Sequence, residues 1–372
     1  MVKGEKCAKG RIAIFVPNLG GGGAERVMVM LANGIAARGL QVDLVLAQRA
    51  GPYLDLVSPE VRIVDLQSPR VLQSIPALAR YLWNCEPDAL LSALSHANIA
   101  AIVATRLARV RTRVIVSDRV SYLGYVQNEP GFGDRVIRRL MRALYPKADG
   151  VVTVSRDMIE EQVTHLRIPR EHLYSIWNPV VDDAIRGKAD LPPEFWPHSL
   201  QGRPVVLAAG RLNHQKGFAT LIEAFDQVRR EVDASLVIVG EGELRSELED
   251  IVAARGLTER VFLPGFVGNP FALMSRADLF VLSSRFEGLP GTLIQAMACG
   301  TQVISTDCPT GPREILEDGK WGRLVPVDDA QSLAGAIIEA LRSEEKPDVV
   351  RRADDFRIEP AIDAYLAVLV PD

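Results

Sequence analysis

The feature that most limits what this chain can fold into is an alternation of short β-branched runs with helical patterns, which continues through most of its 372 residues. The first run, Ile12–Val16, leads into Asn18-Leu19-Gly20-Gly21-Gly22-Gly23 and then into Ala24 to Ala37, where Val27, Leu31 and Ile35 recur at helical spacing. Further strand-like runs stand at Val42–Leu46, Val61–Leu66, Ala89–Leu94, Val114–Ser117 and Val151–Val154. Strands separated by helices pair in parallel, because each crossover has to bring the chain back to the edge at which the last strand began. Asn178-Pro179-Val180 closes this series, and Asp190 to Pro204, with Pro192, Pro193, Pro197 and Pro204, reads as a linker. The alternation then restarts at Val205–Ala209, Leu236–Val239, Val261–Leu263, Leu279–Leu282, Val303–Ser305 and Leu324–Val327.

The pattern predicts an α/β chain of two Rossmann-like domains with parallel sheets. The boundaries are residues 1–183 and 204–350, joined by a linker at 184–203, with a terminal stretch at 351–372. Its last part, Ile358 to Val370, is helical in pattern and is expected to pack back across the cleft. A cleft between two domains is the default place for a ligand.

Charge divides along the same line. The whole chain has Lys+Arg 43 against Asp+Glu 47, a net of -4, which argues against a nucleic-acid partner. Residues 1–183 carry a net of +5 and the remainder a net of -9, so the two halves are expected to meet different partners. The four cysteines, Cys7, Cys85, Cys299 and Cys308, show no two-residue spacing for a zinc or redox pair, and a reduced cytosol is the simplest reading. The apolar run Ile12–Val16 is too short for a signal-peptide core. The window Ala89 to Ala108 is broken by Ser92, Ser95, His96, Asn98 and Arg106, so no spanning segment is expected.

Three segments carry candidate chemistry. In the first domain, Gly21, Gly22 and Gly23 precede a helix, where close backbone approach and free N–H groups suit an anion, although the same run also suits a plain strand-to-helix turn. The spacing is not that of a dinucleotide fingerprint, since Glu25 stands where the last glycine belongs. In the second domain, Val205–Ala209 runs into Gly210-Arg211-Leu212-Asn213-His214-Gln215-Lys216-Gly217. Two cations five residues apart at the carboxyl end of a strand suit a diphosphate, Arg as a clamp and Lys as a point charge. The third is Arg285 to Gly300, in which Glu287 lies in a loop followed by Gly288-Leu289-Pro290-Gly291 and a helix. That helix start is a second anion site, and Gln295 lies about two turns beyond Glu287.

Together these residues resemble the GT-B retaining glycosyltransferases of family 4 type, the bacterial lipopolysaccharide, capsule and glycan-assembly sugar transferases. The likeness spans nearly the whole chain: Gly23-Ala24-Glu25-Arg26, Ile176-Trp177-Asn178-Pro179-Val180, Gly210-Arg211 with Lys216-Gly217, Val239-Gly240-Glu241-Gly242, the Glu287 block, and Thr306-Asp307-Cys308-Pro309-Thr310-Gly311-Pro312-Arg313-Glu314-Ile315. The resemblance implies a nucleotide-sugar donor in the second domain and a glycan or lipid-linked acceptor in the first. Arg211 and Lys216 would hold the diphosphate and Glu287 would contact the hexose; Gly210, Gly240, Gly242, Gly288, Leu289, Pro290 and Gly291 complete the implied donor site. The family usually has a second Glu eight positions after the first, contacting the ribose hydroxyls, but here that position is Gln295. Many relatives also carry a histidine where this chain reads Ser117-Asp118-Arg119, so Asp118 or Arg119 is expected to take the polar role, with His96 a further candidate.

The resemblance implies transfer with retention of anomeric configuration, and no metal is expected, because no two Asp residues fall two apart to form the Asp-x-Asp site of other sugar transferases. The run from Cys308 to Glu314 resembles that of enzymes using UDP-linked N-acetylhexosamines, while other UDP-hexoses and GDP-mannose stay open. The acceptor is expected to be a glycan or a polyprenyl-diphosphate-linked glycan in surface polysaccharide assembly. Arg135, Arg138, Arg139 and Arg142 fall on one helix beside Val136, Ile137, Leu140 and Met141, a basic amphipathic pattern that suits an anionic membrane surface as well as a solvated face. The expected location is cytoplasmic, peripheral at the inner face of the membrane. Competing readings are an NAD-dependent oxidoreductase, disfavoured by the missing fingerprint, a nucleotide-sugar epimerase, and a non-catalytic partner subunit kept open by Gln295.

Overall fold

A computed structural model describes residues 10–20, 22–119, 121–122, 132–200 and 202–371. The chain divides into two units, Met1–Pro179 with Ile358–Asp372, and Val180–Arg357.

The first unit is built on a 7-stranded sheet in the order β3-β2-β1-β4-β5-β6-β7. Its strands are β1 (Arg11–Val16), β2 (Gln41–Leu46), β3 (Arg62–Asp65), β4 (Ala89–Ala93), β5 (Arg113–Asp118), β6 (Gly150–Thr153) and β7 (Leu173–Ser175). Every pairing is parallel. Strands β1, β2, β4 and β5 are buried almost end to end, as expected when helices cover both faces of a parallel sheet. The strand order reverses between β1 and β4, so the crevice beyond their carboxyl ends is where a doubly wound sheet receives ligands.

The second unit repeats the plan with 6 strands in the order β10-β9-β8-β11-β12-β13. These are β8 (Val205–Ala209), β9 (Ser235–Val239), β10 (Val261–Gly265), β11 (Leu279–Leu282), β12 (Gln302–Thr306) and β13 (Arg323–Val325). Here the order reverses between β8 and β11. Leu221, Phe225 and Val228 of the helix Phe218–Glu231 pack with Leu333 and Ile337 of the helix Ala330–Arg342 over this sheet.

Four expectations change. β7 was not anticipated, because its three residues lie between turns and are too few to show a period. Residues 184–203 are not an open linker. Asp182 caps a helix, Asp183–Ala189, by accepting from the Ile185 amide at 3.0 Å, and Ile185 and Ala189 are buried. The terminal stretch 351–372 is split: Val349–Ala353 and Asp354–Phe356 belong to the second unit, while the helix Ile358–Leu369 belongs to the first. There it packs on the helix Gly23–Ala37, where Ile362 lies so close that a Cβ on Gly34 would meet it at 2.2 Å. Finally, Cys299 and Cys308 are free thiols but Cys85 is disulfide-bonded, since spacing along the chain does not limit which cysteines meet in the fold.

Candidate functional site

In the second unit the loops after β8, β9 and β11 converge at the switch point. The loop after β8 is zipped to the loop after β9: Gly210 N donates to Val239 O at 2.9 Å, Leu212 N to Glu241 O at 2.9 Å, and Leu244 N to Leu212 O at 3.0 Å. Such close approach leaves no room for side chains. Gly240 has φ +139° and a Cβ there would lie 1.9 Å from the Gly210 carbonyl oxygen. Gly240→Ala is therefore expected to destabilise the second unit by about 3 kcal/mol or more, through backbone strain and displacement of the Gly210-Arg211 segment. A thermal melt together with a UDP titration checks it. Gly217, at φ +62°, brings the loop equally close to β11, with a Cβ placed 2.2 Å from Ser283 O.

That approach brings Lys216 to Glu287. Lys216 Nζ and Glu287 Oε1 are 2.6 Å apart, and Ser284 Oγ donates to the same oxygen at 2.6 Å. Glu287 is 7% exposed and Ser284 fully buried. The loop around them is pinned at several points. Gln215 Nε2 donates to Phe286 O at 3.0 Å, Arg285 N to Gln215 O at 2.8 Å, and Thr310 Oγ1 to Glu287 O at 2.6 Å. Arg285 itself is held by Asp328 at 2.8 Å. Lys216 lays its stem along Gly210, whose Cβ position is 3.0–3.3 Å from three of its carbons. Burial, assisted by the charge of Glu287, pushes the Cys308 thiol up to about 12, so it is protonated beside the carboxylate.

Arg211 is exposed at the rim of this group and its guanidinium has no partner among the described residues. Gly288, Leu289 and Pro290 are buried beside Glu287, and Pro290 is the N-cap of the helix Gly291–Ala298. Gln295 is half-buried on that helix. Gly242 abuts Leu212 O, so the Gly-Glu-Gly segment supports the Arg211 loop. The structure thus brings Lys216, Glu287 and Ser284 together, with Arg211 exposed on the same loop as Lys216. Reading Lys216 and Glu287 as separate contacts missed their ion pair; Ser284 was missed altogether, and Thr310 was named only as part of a family-like run, without its hydrogen bond to Glu287 O. The paired serines after β11 were the available signal for the first, since small polar residues at a strand's carboxyl end are placed to serve a site.

In the first unit, Gly22 and Gly23 open the helix Gly23–Ala37 as expected, and Gly21 lies outside the described residues. Glu25 folds back over the loop, with its Oε2 2.3 Å from where a Gly22 Cβ would be. A carboxylate therefore already meets this helix start, which weakens it as an anion cradle.

Beyond β1, β4 and β5 lies a cavity of about 290 Å³ lined by Pro17, Leu94, His96, Asp118, Arg119 and Tyr122, among others. Asp118 is 4% exposed, and burial raises its carboxyl to about 6. Both of its oxygens are engaged, one by Gln162 Nε2 at 2.8 Å and the other by the Tyr145 hydroxyl at 3.3 Å. Arg119 donates to Asn178 and to the Tyr365 hydroxyl of the C-terminal helix, the latter at 3.1 Å, and burial lowers its pKa. Arg119 thus ties β5 to both ends of its unit, and His96 is exposed at the cavity rim.

The basic helix Phe132–Leu144 is present, but Ile137 and Met141 point into the core around Tyr145 and Val151, and Leu140 packs against it. Arg135, Arg139 and Arg142 are exposed together with Val136, so the outward face is mostly charge with a single apolar side chain. Among the described residues no helix is long and apolar enough to cross a membrane, and no group of three His, Cys, Asp or Glu side chains is arranged to hold a metal ion.

Residues 193–354 match the family model for glycosyl transferases group 1, and residues 21–184 the model for glycosyltransferase family 4. A Campylobacter jejuni N-acetylgalactosamine-N,N'-diacetylbacillosaminyl-diphospho-undecaprenol 4-alpha-N-acetylgalactosaminyltransferase is 30% identical over 357 residues, 92% of each chain. The lipopolysaccharide core biosynthesis glycosyltransferase LpsE of Rhizobium meliloti is 27% identical over 94% of this chain and 96% of its own. Among solved structures, Anabaena HepE in complex with UDP and glucose superposes with a TM-score of 0.78 at 19% identity, covering 96% of this chain and 99% of that one, a likeness of fold. With both halves matched by family models and a relative aligned over nearly its full length, the chain belongs to the GT-B glycosyltransferases of family 4 type.

Proposed function

We propose that this glycosyltransferase moves an N-acetylhexosaminyl or other hexosyl group from a UDP-sugar to a glycan carried on a polyprenyl diphosphate, with retention of configuration and without a metal ion. The observation that carries the donor half is the meeting of Lys216 and Glu287 at the switch point of the second unit, with Arg211 at its rim. An ammonium and a guanidinium there suit the two phosphates, and the carboxylate suits a sugar hydroxyl. The acceptor class is supported by the Campylobacter relative, whose name specifies a diphospho-undecaprenol substrate.

In this reading the bond between the anomeric carbon and the phosphate oxygen breaks while the acceptor oxygen bonds to the same face of that carbon. The acceptor's hydroxyl proton passes to the departing phosphate. Arg211, Lys216 and the amides at the start of the helix Gly291–Ala298 stabilise the leaving diphosphate by preorganised charge. Asp118 takes the polar role at the end of β5 on the acceptor side, held rigid by Gln162 and Tyr145. The arginines of Phe132–Leu144 add attraction to anionic lipid through charge alone.

The test is a thermal-shift panel of nucleotide sugars, then NMR of the product linkage formed on a polyprenyl-diphosphate glycan, with and without chelator. Stabilisation by UDP-N-acetylhexosamine and chelator-resistant transfer support the reading; stabilisation by GDP-mannose alone overturns the donor, and loss of transfer in chelator overturns metal independence. Gln295 is proposed to meet the ribose hydroxyls. A carboxylate accepts from two hydroxyls where an amide accepts at one end only. Gln295→Glu is expected to tighten UDP binding by about fivefold, the scale of one improved hydrogen bond. Unchanged UDP affinity and turnover would remove the ribose contact.

A further inference from the structure

The carboxylate of Glu287 has unequal surroundings at its two oxygens. Oε1 accepts from Lys216 Nζ and from Ser284 Oγ, each at 2.6 Å, whereas Oε2 accepts no hydrogen bond among the described residues. The Ser284 hydroxyl is fully buried, so it has no water to turn to and its hydrogen bond to an ionised acceptor is a strong one. The main chain on both sides is fixed as well. Thr306 Oγ1 donates to Ser284 O and Thr310 Oγ1 to Glu287 O.

A nucleotide diphosphate arriving at this site competes with Glu287 for the Lys216 ammonium. Once the ammonium turns, a carboxylate with no other anchor is free to rotate, because the last torsion of a Glu side chain is broad and roughly two-fold. Ser284 lies three residues before Glu287 in the same pinned loop and does not move with Lys216. Resting on the reading that Glu287 meets the donor hexose, we propose that Ser284 is a positioning residue: it keeps Oε1 turned inward when the diphosphate draws Lys216 away, so that Oε2 is presented as the acceptor for a single hydroxyl of the donor sugar.

The experiment uses the full chain, UDP, and a set of donor sugars each lacking one hydroxyl. In the wild type, deleting the recognised hydroxyl carries a penalty in kcat/KM that deleting the others does not. Ser284→Ala is expected to lower kcat/KM for the intact donor about tenfold, the scale of one hydrogen bond to a charged group. It is also expected to blunt the penalty for that one hydroxyl, and to leave UDP affinity unchanged because UDP carries no hexose. Ser284→Thr, which keeps the donor group, is expected to restore both the rate and the discrimination, and it carries the test if the alanine variant does not fold. If Glu287→Gln blunts the penalty for one hydroxyl while Ser284→Ala leaves it whole, or if Ser284→Thr keeps the wild-type rate but loses the discrimination, the positioning role is overturned. If Glu287→Gln leaves every hydroxyl penalty intact, the underlying reading of Glu287 fails instead.

Discussion

Glu287→Gln is expected to lower kcat/KM for sugar transfer by about 100- to 1,000-fold while leaving UDP bound at least as tightly as in the wild type. The two effects have opposite signs for one reason. The Glu287 side chain is nearly buried and its carboxylate sits 2.6 Å from the ammonium proposed to hold the diphosphate. Neutralising it releases Lys216 for the phosphates and removes a like charge from their surroundings, so nucleotide affinity holds or rises. Turnover is expected to fall because the charge-assisted contact proposed to the hexose is replaced by one to a neutral amide; losses of two to three decades are typical for one preorganised polar group in a catalytic site. Calorimetry with UDP and steady-state rates with the intact donor separate the two. A drop in UDP affinity to match the drop in rate would place Glu287 at the nucleotide and not at the sugar.

Lys216→Ala is expected to have the second largest effect, and on stability as well as function. Lys216 and Glu287 side chains are 16% and 9% exposed, so removing the cation leaves a carboxylate nearly out of water with only the Ser284 hydroxyl to meet it. Breaking a buried pair from one side costs about 3 kcal/mol or more, which corresponds to a fall of roughly 5–10 °C in the melting temperature of a unit this size. UDP affinity falls with it. The double variant Lys216→Ala with Glu287→Gln is expected to regain most of the lost stability but none of the activity, because the stranded charge is gone while both contacts remain absent. Melting temperatures of the four proteins in the cycle measure this; strict additivity of the two single changes would mean that the pair is not coupled.

The sheets were legible in the sequence because buried parallel strands are continuous apolar runs. Val205–Ala209 and Leu279–Leu282 have the bounds that their apolar runs suggest. What composition obscured was Asp183–Ala189, where nearby prolines outweighed a single capping Asp182 in the reading. At the site, Lys216 and Glu287 were each singled out by loop position and family likeness, yet their pairing was invisible. They are 71 residues apart, and the close glycine contacts and the Gln215 hydrogen bonds between the loops after β8 and β11 bring them together. The helix Phe132–Leu144 was legible as basic and amphipathic, but what its apolar residues meet was not. Periodicity shows that Ile137 and Met141 share a face, but not whether that face meets lipid or the neighbouring strands.

The junctions of the second unit have a consequence of their own. Val180 and Val181 both donate to Phe356 O, at 3.3 and 3.2 Å, and Val181 bridges Arg357, so the segment from Val180 to Arg357 begins and ends at the same spot. A stretch of chain whose two ends meet is a cassette: it can be lifted out, closed on itself or exchanged for another without lengthening any connection in what remains. The helix Ile358–Leu369 then completes the first unit whichever cassette is spliced in before it. Replacement of the whole second unit is thereby open in one genetic step, while the first unit keeps its own sheet and its own closing helix.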